Sequence, residues 1–248
     1  MTRKERVAAA FSAAAATYDA AAEAQARAAD LVARRVLSRP IPAAPRVLEV
    51  GCGTGLLTRR LLPLLGGDWL VTDIAPAMVA AARASACAPG AGFRVMDGEH
   101  PDVEGPFDLI VSNLAAQWFQ DLPAALARLA SLLAPGGRLV LSTLGEGSLR
   151  EWRDAHAALG LACGTPAYPS RDQLADWLPA GRATGVVAEA FAVRYPDGRA
   201  FGAALKAIGA GTPKPGHRPL SPGALRRVLS VLGAPAAVTY EILIAEVR

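Results

Sequence analysis

Val47-Leu48-Glu49-Val50-Gly51-Cys52-Gly53-Thr54-Gly55 is the stretch on which the reading of this 248-residue chain turns. Apolar residues around one acid run into glycines at alternate positions, and a helical pattern begins at once with Leu56, Leu57, Leu61 and Leu62. The order is strand, tight turn, helix. Glycine suits such a turn because the backbone bends sharply and lets a nucleotide-like ligand come closer than a Cβ would allow. A dinucleotide fingerprint reads G-x-G-x-x-G, with pyrophosphate on the helix N-terminus. Here the third glycine comes one residue early, at Gly55, and Glu49 sits at the end of the strand. That acid repels an anion and tolerates a ligand bearing an amino group and a sulfonium.

The remaining composition sets bounds. The length fits one large domain, or a domain with a lid, and 52% hydrophobic with 19% charged residues allows a sizeable core. Net charge is +4 and the isoelectric point about 9.2, with Arg far outnumbering Lys; a basic surface of this kind suits an acidic partner. Basic and aromatic residues are not interleaved as a nucleic-acid surface requires, so no nucleic acid is expected. Cys52, Cys87 and Cys163 are widely spaced and lack a metal-ligand pattern, which points to a reducing cytosol, a cytoplasmic location and no metal. Met1 to Arg6 is basic and Val7 to Ala16 apolar, as in a secretory signal, but the run is mostly Ala and the helical pattern continues through Tyr18, Asp19, Glu23, Gln25 and Arg27. No stretch approaches the ~18 apolar residues of a membrane span. A monomer is expected.

Residues 5 to 38 read as Ala-rich helix, two helices broken near Thr17 to Asp19, carrying Phe11 and Tyr18 as aromatics placed to fold over a cofactor. Pro40, Pro42 and Pro45 end this cover, residues 1–45, and lead into a core of residues 46–195. The second strand, Trp69 to Thr72, ends in Asp73, twenty residues past Gly53, where such folds grip two ribose hydroxyls. Ile74 and Met78 then line an adenine pocket or serve as plain core. A third strand, Gly92 to Val95, ends at Met96-Asp97-Gly98-Glu99, with Asp97 able to accept from the adenine amine. The fourth, Phe107 to Ser112, is a continuous apolar run and therefore buried and parallel; it delivers Asn113 to Trp118 beyond its carboxyl end. Leu122 to Leu133 reads as amphipathic helix stopped by Pro135-Gly136-Gly137, and Arg138 to Ser142 as the fifth strand. Trp152 to Leu161 and Ser170 to Leu178 are helical. Val186 to Tyr195 and Val238 to Val247 are strands that form an antiparallel edge pair. Between them residues 196–235, rich in Gly, Pro, Lys and Arg, have helical pieces at Phe201 to Ile208 and Leu225 to Leu232; they read as a lid, with residues 236–248 as the last strand. His100, His156 and His217 are scattered and read as surface residues.

The acid followed by G-x-G-x-G resembles motif I of the class I S-adenosylmethionine (SAM) methyltransferases, and Leu133 to Leu141, L-x-P-G-G-x-L-x-L, is similar to another landmark of that superfamily. The resemblance implies an α/β, Rossmann-like fold: a seven-stranded, mostly parallel sheet with an antiparallel last strand, a helical cover and a helical lid. Phe11-x6-Tyr18-Asp19 with Gln25, Ser112 to Trp118, Thr143-Leu144-Gly145-Glu146-Gly147-Ser148-Leu149, Leu205 to Ala210 and Thr239-Tyr240-Glu241 narrow it further. These segments resemble the malonyl-acyl carrier protein O-methyltransferases of biotin synthesis, with a departure at the Pro-rich Thr212 to Pro219.

That likeness implies methyl transfer from SAM to the free carboxylate of a malonyl thioester, on acyl carrier protein or coenzyme A, with S-adenosyl-L-homocysteine as product. Phe11, Gln25, Glu49, Gly51, Gly53, Gly55, Asp73, Ile74, Met78, Asp97, Gly98, Asn113 and Leu114 are the expected SAM contacts. Tyr18 and Gln117 are expected to hold the carboxylate through neutral hydrogen bonds. Trp118, Thr143 and Lys206 are expected on the substrate side, with Lys206 near the thioester or the carrier's phosphopantetheine. Arg34, Arg35, Lys206, Lys214, Arg218, Arg226 and Arg227 are candidates to steer the carrier. Two alternatives stay open: a methyltransferase acting on another small carboxylic acid or metabolite, and a SAM-binding assembly or regulatory protein without activity.

Overall fold

Successive residues of the first strand point into different cores: Val47 into one, Leu48 and Val50 into the other. This period of two, repeated at Leu109 against Ile110 and at Ile242 against Leu243, shows a sheet buried on both faces. The computed structural model describes residues 1–86 and 90–248; Cys87 lies outside the described residues.

The strands are β1 (Arg46–Val50), β2 (Asp68–Asp73), β3 (Gly92–Val95), β4 (Phe107–Ser112), β5 (Leu133–Leu144), β6 (Thr184–Tyr195) and β7 (Ala236–Val247). They lie in the order β3-β2-β1-β4-β5-β7-β6. β1 pairs in parallel with β2 and β4, β3 with β2, and β5 with β4. β7 runs antiparallel to β5 on one side and to β6 on the other, so the last strand is internal and β6 forms the edge. β5 also begins earlier than the Pro-Gly-Gly stop suggests: Leu133 pairs with Phe107, and the register shifts before Arg138 pairs with Leu109.

One face of the sheet is covered by α3 (Glu23–Leu37) and α4 (Thr58–Leu65), with α5 (Pro76–Ala86) beside α4; Ala24, Ala28, Val32 and Val36 of α3, at helical spacing, are buried there with Leu61 and Ala82. Val32 and Val36 are fully buried, each worth about 1.5–3 kcal/mol. The other face takes α6 (Leu122–Ser131), capped by Asp121, and α8 (Arg171–Asp176), capped by a Ser170/Gln173 capping box.

The expected break near Thr17 is present, but the N-terminal segment is three helices: α1 (Arg3–Ala14), the single turn α2 (Tyr18–Ala21), and α3. After β5 comes α7 (Arg150–Ala158), and between β6 and β7 lie α9 (Gly198–Ala207) and α10 (Pro222–Val231), with Asp197 and Ser221 as their N-caps. Among the described residues no helix is long and apolar enough to cross a membrane.

Candidate active site

Parallel strands all end on one side, so β1, β2, β3 and β4 bring Gly51, Asp73, Met96 and Asn113 to one crevice, at the point where the chain order reverses across β1 and β4. The turn after β1 has Gly51 at φ +71°, and a Cβ there would stand 2.3 Å from the Ala115 Cβ; only glycine lets the loops after β1 and β4 meet. Asp73 fixes this turn from below: one oxygen accepts from the Gly53 N–H at 2.9 Å and the other from the Ala75 N–H at 2.8 Å. Burial raises the Asp73 pKa, opposed by the N–H groups of Ala75, Gly53 and Ile74.

The crevice is a slot lined by Asp73, Ile74, Asp97, Gly98, Asn113 and Leu114 on the sheet side and by Lys4, Val7 and Phe11 of α1 opposite. Those three α1 residues sit at i, i+3 and i+7, one helical face. Lys4 ties that face down, its Nζ 2.5 Å from Asp97 Oδ2 and 2.6 Å from Glu99 Oε2. Arg3 adds a bond to the Trp118 carbonyl at 3.0 Å, and Phe11 meets Trp118 edge-on with ring centroids 5.3 Å apart. Asn113 is clamped in turn: its amide donates to the Gln25 carbonyl at 3.1 Å and its Oδ1 accepts from Ser142 at 3.0 Å. The next residue, Leu114, stands at φ +51°, a conformation costly for a side chain with a Cβ and kept where the turn is over-determined.

Past Phe11, Tyr18, Leu114 and Trp118 the slot opens into a second cavity of about 870 Å³, walled by Gln117, Leu144, Leu149, Trp152, His156, Tyr168, Lys206, His217 and Tyr240. Tyr18 stands at the junction, its ring 4.0 Å from where a Cβ on Gly53 would be. Its pKa is pushed up by burial, with the Asp73 and Asp19 charges adding to the effect, so the phenol stays protonated and acts as a donor.

The expected site residues therefore divide. Gly51, Gly53, Asp73, Ile74, Asp97, Gly98 and Asn113 face the slot, Gln25, Gln117 and Lys206 face the larger cavity, and Phe11, Tyr18, Leu114 and Trp118 face both. The other four do not line either space. Glu49 is buried behind the loop, accepting from the Thr58 hydroxyl at 2.7 Å, because its position on β1 points it toward α4. Burial pushes its pKa up to about 8, with the Thr58 hydrogen bonds opposing and the Asp73 charge reinforcing the rise. Gly55, at φ +89°, faces α5, where a Cβ would meet Ser85 and Ala82. Met78 is fully buried core on the inward face of α5, and Thr143 is fully buried within β5. Gln117 donates to the Leu114 carbonyl and leaves its buried Oε1 without a partner among the described residues.

The expectation for the histidines holds for His100 alone. His156 is buried on the inward face of α7, its Nδ1 donating to the Trp152 carbonyl at 2.8 Å, and His217 packs over Gly164; both line the larger cavity. Arg34 and Arg35 lie in the last turn of α3, and Arg35 bonds Glu246, which pairs with Val140 where the β5–β7 ladder begins, at the end of the sheet away from the cavities. Lys4, His156 and Tyr168 are site residues that the sequence pattern did not single out. The spacing Lys4-Val7-Phe11 is the signal for the first and the i, i+4 pair Trp152/His156 for the second, while no local pattern marks Tyr168.

A slot at the switch point of a β3-β2-β1-β4-β5-β7-β6 sheet, floored by glycines and edged by Asp73, is the architecture of a class I methyltransferase. Residues 20–208 match the methyltransferase domain family. The chain is 46% identical, over 96% of its length, to the biotin biosynthesis bifunctional protein BioCD of Bordetella avium, and it spans about half of that relative, 51%. It is 43% identical to the malonyl-[acyl-carrier protein] O-methyltransferase of Magnetococcus marinus, covering 91% of this chain and 86% of that one. The chain belongs to the methyltransferase domain family and, within it, to the family of the malonyl-[acyl-carrier protein] O-methyltransferases. Among solved structures the fold is similar to the YcgJ protein of Bacillus subtilis, with TM-score 0.64, 18% identity, and coverage of 88% of this chain and 97% of that one. It is similar also to Haemonchus contortus phosphoethanolamine N-methyltransferase 2 in complex with S-adenosyl-L-methionine, with TM-score 0.57, 16% identity, and coverage of 89% and 52%.

Proposed function

We propose that this chain methylates the free carboxylate of a malonyl thioester, carried on acyl carrier protein, with SAM as donor and S-adenosyl-L-homocysteine as the other product. The observation that carries this reading is the junction at Tyr18. It joins a slot lined by Ile74, Asp97 and Asn113, with the Asp73 carboxylate in its wall, to a second cavity of about 870 Å³.

The residues of the slot fit the donor. Asp73, held by two backbone N–H groups, presents its remaining lone pairs to a ribose diol. Ile74 and Met96 offer apolar surface to a purine, Asp97 faces its amine, and the backbone at Gly51 and Gly53 admits the amino-acid tail. When bound, SAM supplies an electrophilic methyl on a sulfonium. The acceptor needs no general base, because a carboxylate with an ordinary pKa of ~4 is already ionised. The protein's work is then orientation and the exclusion of water. Tyr18 donates its O–H to the carboxylate at the junction, and the free N–H of Gln117 offers a second neutral bond from the far cavity. Neutral donors position the oxygen while leaving it nucleophilic. Phe11 and Trp118 wall the passage, and Lys206 stands farther out, toward the thioester.

In this reading residues 1–45 are a cover, 46–195 the donor-binding core, 196–235 a lid and 236–248 the closing strand. The binding of Thr17 to the Ala207 carbonyl at 2.8 Å supports cover and lid closing together. The test is to incubate the protein with SAM and malonylated carrier protein and to follow the intact mass. The malonyl group should gain one methyl. Methylation of free diacids alone, or no methylation, overturns the proposal.

A further inference from the structure

The chain's net charge of +4 is not spread evenly. Residues 196–235 hold six of its 26 Lys and Arg but only one of its 22 acids, Asp197, so this segment carries +5 and all the rest −1. Asp197 is occupied as the N-cap of α9, accepting from the Ala200 N–H at 2.8 Å. The six cations, Arg199, Lys206, Lys214, Arg218, Arg226 and Arg227, are all exposed, and none has an ion-pair partner among the described residues. Elsewhere in the described residues 11 of the other 20 Lys and Arg meet a carboxylate, Lys4, Arg35, Arg60 and Arg138 among them. Like charges gathered on one segment repel one another and gain nothing within the chain, whereas an anionic partner supplies the missing counter-charges.

Their place in the fold says what kind of partner. Lys206, Pro213, His217 and Leu225 line the larger cavity, and the exposed cations Lys214, Arg218 and Arg226 each directly follow one of these lining residues in the chain. Leu225, 40% exposed, is an apolar spot inside this basic field. On α10, Ala224 and Val228 are buried, which turns Arg226 and Arg227 outward. A charged rim around a deep, mainly apolar cavity suits an acidic body that sends a flexible thioester arm inward. We propose that the outer face of residues 196–235 docks an acidic carrier protein through these cations, with the acyl arm entering beside Lys206. The proposal rests on the acceptor being a carrier-borne thioester.

The test compares wild type, the double variant Arg226→Glu/Arg227→Glu and, at the far end of the sheet, Arg34→Glu. Each is assayed with malonyl-carrier protein and with malonyl-N-acetylcysteamine, and each is titrated against fluorescently labelled carrier. The double variant should raise KM and Kd for the carrier by about tenfold or more, with the rate on the small thioester and the melting temperature unchanged. Arg34→Glu should change neither. An unchanged carrier KM and Kd overturns the docking face, as does an equal loss on the small thioester. Should the double variant instead lose affinity for a single-stranded oligonucleotide and keep that for the carrier, the face serves a nucleic acid and the proposal is wrong. Failure of wild type to methylate either thioester would strike the proposed reaction alone, because the labelled-carrier titration still reports on docking.

Discussion

The slot and the larger cavity share Phe11, Tyr18, Leu114 and Trp118, yet they are built on different plans. On the sheet side the slot is made of loops that follow four adjacent parallel strands, so its residues sit where the sheet delivers them. The cavity draws on α1, α7 and the loop before it, the 164–168 segment, α9, the 208–220 loop and Tyr240, which are far apart in the chain and meet through tertiary contacts. A site on rigid strand ends tolerates little change at any one residue. A site assembled from helices and loops spreads its contacts, and single losses there are smaller.

The sharpest way to break this contrast is at Asp73. Asp73→Ala removes the carboxylate from the ribose position and should weaken SAM binding by about 100-fold or more in isothermal titration, given ~1.5–3 kcal/mol for each hydrogen bond to a charged group. Asp73→Asn, which keeps the shape, should lose less, and unchanged affinity in both would remove Asp73 from the donor. Tyr18→Phe tests the junction: turnover should fall roughly tenfold while SAM affinity stays within about threefold, and a wild-type rate would show the hydroxyl idle.

Lys4→Met probes whether α1 is latched over the slot. Release of the pair to Asp97 and Glu99 should speed SAM dissociation in stopped flow by about threefold, with turnover on saturating substrate little changed. The smallest effect concerns Glu49. Its folded-state pKa of about 8 lies above the ordinary carboxylate value, so the native state holds a proton that the unfolded chain has lost. Stability contributed by this group is complete below the ordinary value and is lost as pH rises toward about 8. Melting temperature without ligand should therefore decline across that range, and Glu49→Gln should flatten the decline; an identical slope in the variant would refute the assignment.

The glycine loop, Asp73 and Asn113 are legible in the chain itself because each stands at a strand end, and strand ends are marked by a run of apolar residues stopping at a polar or glycine position. The same rule failed to separate Glu49, Gly55 and Met78 from the slot. Being near a strand end does not say which way a side chain turns, and these three turn toward α4, α5 and the core. Thr143 illustrates the same limit from inside β5, where both faces of the strand are covered.

Sequence by itself determined the sheet, its mostly parallel order and the loops that line the slot, because periodicity and turn chemistry are local properties that neighbouring residues decide. Only the tertiary structure decided that Lys4 ties α1 over the slot, that His156 is buried in the cavity wall, and that Arg34 and Arg35 stand at the opposite end of the sheet from the cations of residues 196–235. Those facts depend on which helix face meets which strand end across long stretches of chain. That choice is made by the packing energy of the whole molecule, and no local window records it.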